Sequence, residues 1–89
     1  MPDHERGHSL CERGGVISKG PTVVGTAHSV SIPLRCPKGS KVVGVSHTHP
    51  SGDLHLSEQD KKTARTKKLK VVCVKARERV KCYRFKPKN

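Results

Sequence analysis

The stretch of residues 41–60 leaves this chain fewer conformational choices than any other. Residues 41–47 are its most apolar run of β-forming type, with Val42, Val43 and Val45, and they predict a central strand. Pro50 and Gly52 then break the strand and turn the chain. Ser57 stands three residues before an acid, Asp60, in the arrangement of a capping box, and predicts a helix over 57–69. If the strand runs on through His49, its period of two puts His47 and His49 on one face. The helix start brings Asp60 back over that face, so two imidazoles and one carboxylate are expected to converge.

The remaining elements follow from alternation and turn residues. Residues 9–18 are expected as one strand with glycines at a close approach. Residues 22–27 lead into 28–34, where Val30, Ile32 and Leu34 alternate as in a strand. Residues 37–40 read as a turn. Residues 70–75 and 79–85 predict a hairpin through 76–78. Strands on both sides of one helix give an α/β class: a small single domain over 1–89, with a mixed, curved sheet and a packed helix. With 31% hydrophobic and 2% aromatic residues in 89, its core is thin and calls for help from a metal, a disulfide or a partner.

No run of 18 apolar residues exists, which excludes a transmembrane helix, and the polar opening lacks the apolar region of a secretory signal. An intracellular, cytoplasmic protein is therefore expected. The four cysteines contain no C-x-x-C pair, which argues against a cysteine-only zinc finger. They are expected as buried strand thiols, with three complete disulfide pairings possible. Gln59 and Asn89 are the only side-chain amides, a thermophile-like composition in which an intracellular disulfide is admissible.

The net charge of +12 is not spread evenly. Residues 1–60 carry six basic and six acidic side chains, whereas 61–89 carry thirteen basic ones against Glu78 alone. This basic C-terminal third is expected to dock an acidic partner or the phosphates of a nucleic acid. Tyr83 and Phe85 are the only aromatics, too few for a platform that stacks single-stranded bases.

His47, His49 and Asp60 together suit a tetrahedral Zn²⁺ with its fourth position open, the arrangement of a catalytic rather than a structural site. The residues resemble the JAMM, or MPN-plus, zinc metalloproteases, whose motif joins a distant Glu to H-[ST]-H-P and to an S-x-x-D separated from the second His by seven residues, the Pro included. Here His47-Thr48-His49-Pro50 is followed by Ser57 and Asp60 at those offsets. The stretch from His49 to Asp53 is also similar to the RadC branch. Glu12-Arg13-Gly14-Gly15-Val16-Ile17 resembles the family's E-x-C-G-x-[LI] strand, departing from it at Gly14. The resemblance covers roughly residues 9–75. It implies the JAMM/MPN (cytidine-deaminase-like) fold, zinc on His47, His49 and Asp60, Glu12 as general base, and Ser57 as a stabiliser of the tetrahedral intermediate. It further implies a peptidase or isopeptidase acting on a protein substrate, such as a conjugate of a ubiquitin-like modifier. Family members carry a helix before the Glu-bearing strand, whereas only eleven residues precede Glu12.

Two readings from other classes stand beside this one: a RadC-like module that binds phosphate backbones through 61–89, and a non-catalytic scaffold. His4-Glu5-Arg6-Gly7-His8 also satisfies H-E-x-x-H, but that motif needs a well-formed helix, and Pro2 and Gly7 argue for a frayed terminus instead. Glu5 competes with Glu12 for the role of base. His28 and His55 read as surface or loop residues, and Asp53 as a turn cap.

Overall fold

The computed structural model describes residues 4–27 and 29–86, so His28 and the ends of the chain lie outside the description. Gly14 and Gly15 divide the first predicted strand in two. Both adopt positive φ, 57° and 83°, the backbone that a two-residue hairpin turn requires and that glycine takes at no steric cost. Strand β1 (Arg6–Arg13) thus turns back as β2 (Val16–Lys19), and β3 (Val23–Val24) pairs with the start of β1. Strand β4 (Lys41–Thr48) lies antiparallel on the other side of β1. Helix α1 (Glu58–Thr66) leads to β5 (Val71–Ala76), which is parallel to β4, and β6 (Arg79–Arg84) closes the sheet as the antiparallel partner of β5. The spatial order is β2-β1-β4-β5-β6, a mixed sheet carrying one helix, and the class is α/β.

Residues 29–34 form no strand, although the alternation of Val30, Ile32 and Leu34 is real. The sides of β1 are already taken, by β4 on one and by β2 and β3 on the other, so the segment lies over the sheet's face. Ile32 and Leu34 pack on the core there. Gly7 makes room for this crossing, since a Cβ on it would stand 2.5 Å from Cδ1 of Ile32. Further along, Ser9 Oγ donates to the carbonyl of Arg35 at 2.7 Å, and Cys11 is bonded to Cys36.

That bond corrects the expectation of buried thiols, as does a second one between Cys73 and Cys82. Cys73 and Cys82 are directly opposed partners of the β5–β6 ladder, which places their side chains on the same face. The Cys11–Cys36 closure spans 25 residues and contributes on the order of 3 kcal/mol by the loop-entropy argument. Covalent closure thus helps a small core whose main cluster joins Val45, Leu56, Ala64, Leu69, Val72 and Val74, with six partly buried apolar side chains around it.

Opposite the step from Leu10 to Cys11 the β1–β4 register slips, leaving Val43 without a partner. Such a bulge resets the alternation of β4. Both Val42 and Val45 then reach the core on the helix side, and His47 follows Val45 on the same face.

Helix α1 buries only Ala64 of its own residues and is held mainly by its ends, through the buried flanking residues Leu56 and Leu69. At its C-terminus Leu69 N–H donates to Ala64 O at 2.9 Å and Lys68 N–H to Arg65 O at 3.3 Å, a Schellman closure. Lys68 occupies the left-handed position, φ 55°, where glycine is favoured. Lys68→Gly is therefore expected to raise stability by about 0.5–1 kcal/mol in urea denaturation, whereas Leu69→Ala costs about 2–5 kcal/mol.

Candidate metal centre

The ladder of β4 continues one residue past Thr48, because His49 N–H donates to Lys75 O at 2.9 Å. His47 and His49 accordingly face the same way, and their Nε2 atoms stand 2.9 Å apart. His47 is buried. The Nδ1–H of His49 donates to the carbonyl of Asp53 at 2.8 Å, which turns the ring and leaves Nε2 with its lone pair for a ligand. The loop that offers this carbonyl is itself tied: Asp53 Oδ1 accepts from His55 N–H at 2.8 Å and lies 2.7 Å from His55 Nδ1. The backbone bond from His55, then the one from its ring, hold the Asp53 carboxyl below its ordinary range. Asp53 and His55 thus act as a turn.

The third donor comes from the helix. Ser57 Oγ accepts from Asp60 N–H at 3.1 Å, and Asp60 Oδ2 accepts from Ser57 N–H at 3.2 Å, completing the capping box. The same Oδ2 lies 3.3 Å from His47 Nε2 and 3.9 Å from His49 Nε2. A zinc ion with bonds of 2.0–2.1 Å separates its tetrahedral ligand atoms by about 3.4 Å. The three observed spacings bracket that value, so the donor set fits such an ion with little rearrangement. Burial pushes the Asp60 carboxyl up, but the hydrogen bond and charge of His47, then the two bonds from Ser57, outweigh it and hold it at about 2.

Glu5 completes the cluster from the neighbouring strand. Gly7 is the register partner of His47, so alternation along β1 puts Glu5, Gly7, Ser9 and Cys11 on the histidine face. Glu5 is 7% exposed, and both its backbone groups are tied to residues 25–26, by Glu5 N–H to Thr26 O and Gly25 N–H to Glu5 O. Ligand atoms of Glu5, His47 and His49 all lie within 4.8 Å of one another, and these three residues could hold a metal ion.

Glu12 is not brought to this cluster. It lies five residues beyond Gly7, about 17 Å along the strand, and has the opposite parity. Its carboxylate is 3.8 Å from Lys41 Nζ. Glu5 falls instead in the stretch read as a frayed terminus, which is ordered strand from Arg6 onward, and the helix required by H-E-x-x-H does not form. The signal that points to Glu5 is the run of small residues at every second position, Gly7, Ser9 and Cys11. It marks the covered face of β1 and, counted back one step, reaches Glu5.

A groove of about 390 Å³ opens beside the cluster. Val30, Ile32 and Leu34 form an apolar wall, Gln59 and Thr63 of α1 face them, and Glu5, His47 and Asp60 stand at the head. The basic side chains of 61–86 are distributed over α1 and both faces of the β5–β6 hairpin, with Lys81 Nζ 5.1 Å from the Tyr83 ring centre. Among the described residues no helix is long and apolar enough to cross a membrane. Compared with known proteins, the chain matches no family model, no curated protein and no solved structure.

Asp60 gives the metal-free protein a pH signature. Its folded-state value, about 2, lies below the ordinary 3.8, so the associated stability is present above pH 4 and is lost progressively as pH falls to about 2. The loss is on the order of 2 kcal/mol. Urea denaturation of the metal-free protein at pH 5, 3 and 2 is expected to show it in the wild type, and Asp60→Asn is expected to lack that increment.

Proposed function

We propose that this chain is a zinc-dependent hydrolase of amide bonds, a peptidase or isopeptidase of the JAMM kind, on a minimal version of that fold. The observation that carries the reading is the convergence of His47 Nε2, His49 Nε2 and Asp60 Oδ2 within 3.9 Å of one another, with Glu5 on the same face. The H-[ST]-H-P and S-x-x-D spacing of His47, Thr48, His49, Pro50, Ser57 and Asp60 supports the same assignment. The two neutral imidazoles and the ionised Asp60 would hold the ion and leave a position open; bound there, zinc supplies a Lewis acid that activates water and polarises the scissile carbonyl.

The chain's own groups divide the remaining work. Glu5, rather than Glu12, is placed to accept the proton of the attacking water and deliver it to the leaving amine. Ser57 Oγ already accepts from Asp60 N–H, so its own proton remains available to donate to an oxyanion developing on the substrate. The groove between residues 30–34 and α1 suits an extended peptide segment, such as the tail of a ubiquitin-like modifier.

Metal analysis and turnover test the reading together. The purified protein is expected to carry one zinc per chain, and His47→Ala to carry none. Glu5→Gln keeps the zinc but loses about 10²–10⁴-fold in turnover of linear and isopeptide-linked ubiquitin-like fusions, whereas Glu12→Gln stays within twofold. A wild-type protein without stoichiometric zinc overturns the proposal, and equal effects of the two Glu substitutions overturn the role of Glu5.

A further inference from the structure

A second groove, of about 310 Å³, meets the metal cluster from its other side and is unlike the first in chemistry. The apolar groove reaches the cluster at His47 and Asp60, whereas this one reaches it at His49 and Pro50. Arg6, Thr48, Lys75 and Arg77 line the rest with His4, and no acid is among the lining residues. Among the described residues, none of Arg6, Lys75 and Arg77 forms an ion pair. Arg6 N–H donates to Thr48 Oγ1 at 2.9 Å, which orients that hydroxyl and leaves its proton to donate elsewhere.

Arg77 carries a separate mark. It is the first residue of the two-residue turn between β5 and β6, with φ 59°, a backbone that favours glycine. Its guanidinium lies over Gly52, where an added Cβ would stand 3.4 to 3.7 Å from Nε, Cζ and Nη2. Gly52 N–H donates to His49 O at 3.0 Å, so the guanidinium is packed on the turn that follows the metal-binding strand. A charged fork is thus held at a position where local backbone preference asks for glycine, in a groove where two other cations form no ion pair among the described residues.

We propose that this groove is an anion subsite that receives a carboxylate of the substrate next to the scissile bond. The inference rests on the hydrolytic reading of the metal centre and adds the substrate class: amides that carry an acidic group on one side and an apolar segment on the other. The guanidinium of Arg77 offers paired N–H donors to a carboxylate, Lys75 and Arg6 add charge, and the Thr48 hydroxyl adds a donor. The groove has room for a small anionic group and contains no Phe, Tyr or Trp ring to serve as a stacking platform for successive bases, which favours a carboxylate over a nucleic-acid strand. The carboxylate can come from an acidic side chain or from a chain terminus.

Amide chemical-shift titration of the zinc-treated full chain tests the proposal. The probes are acetyl-aspartate amide, which offers a side-chain carboxylate, and N-acetylglycine, which offers a terminal one; whichever binds tighter identifies the source. Saturable shifts are expected at Thr48, His49, Lys75 and Arg77. Arg77→Gly relieves the left-handed backbone and so keeps the fold, and it is expected to weaken binding at least tenfold; Lys75→Gln is expected to weaken it about threefold. His47→Ala loses the metal but keeps the carboxylate site, and zinc content measured on the same samples separates failure of the subsite from failure of the metal centre. Binding by Arg77→Gly within twofold of wild type overturns the proposal. So does binding that vanishes in His47→Ala but survives in Arg77→Gly, because the anion then sits on the metal. Tighter binding of a short oligothymidylate at the same amides makes the groove a phosphate reader and also overturns it.

Discussion

One carboxylate couples the two halves of the structure. Asp60 Oδ2 accepts from the Ser57 amide that starts α1 and faces the imidazole of His47 at the end of β4. The helix needs this contact more than most, because Ala64 is its only buried residue and its other inward side chains, including Gln59 and Thr63, line a groove rather than a core. The same bond that caps the helix aims the Asp60 carboxylate at the two histidines. Capping and the proposed metal binding are therefore not competing explanations of Ser57 and Asp60: the cap is the device that would position the ligand. A metal on those donors would tie helix to strand where apolar burial is scarce and so add folding energy as well as chemistry.

The rest of the fold compensates for its thin core by covalent and steric means. Residues 29–36 cross the face of β1, held by Ile32 over Gly7, by the bond from Ser9 to Arg35 and by the Cys11–Cys36 disulfide. This strap is also the apolar wall of the groove beside the metal centre, so the element that needs tethering is the one a substrate would touch. On the far side of His49 the chain changes character and presents Arg6, Lys75 and Arg77. The concentrated positive charge of the C-terminal third is thus in part local to the site, rather than only a remote docking surface.

What the sequence made legible was local. The run of valines before His47, the turn residues Pro50 and Gly52, and the Ser57–Asp60 spacing lie within twenty residues and depend on strand alternation and helix capping alone. The β5–β6 hairpin was legible for the same reason. Non-local facts were not. Alternation shows that Ile32 and Leu34 face inward, but not that the place beside β1 is already occupied. Two adjacent glycines such as Gly14 and Gly15 suit either a close approach or a turn, and only the pairing of β1 with β2 decides between them. The choice between Glu5 and Glu12 depends on the pairing of β1 with β4, where Gly7 meets His47, and on a parity that sends Glu12 to the other face. Disulfide connectivity likewise follows from register, since Cys73 and Cys82 become opposite only once the hairpin forms.

The central claim is that His47, His49 and Asp60 form a preorganised zinc site with Glu5, not Glu12, beside it. Anomalous diffraction at the zinc edge from zinc-soaked crystals tests it most directly. One strong peak is expected within about 2.0–2.2 Å of His47 Nε2, His49 Nε2 and Asp60 Oδ2, with the Glu5 carboxylate next to the open position. An empty cluster, or a peak held by His4, His8 or His55 instead, would contradict it.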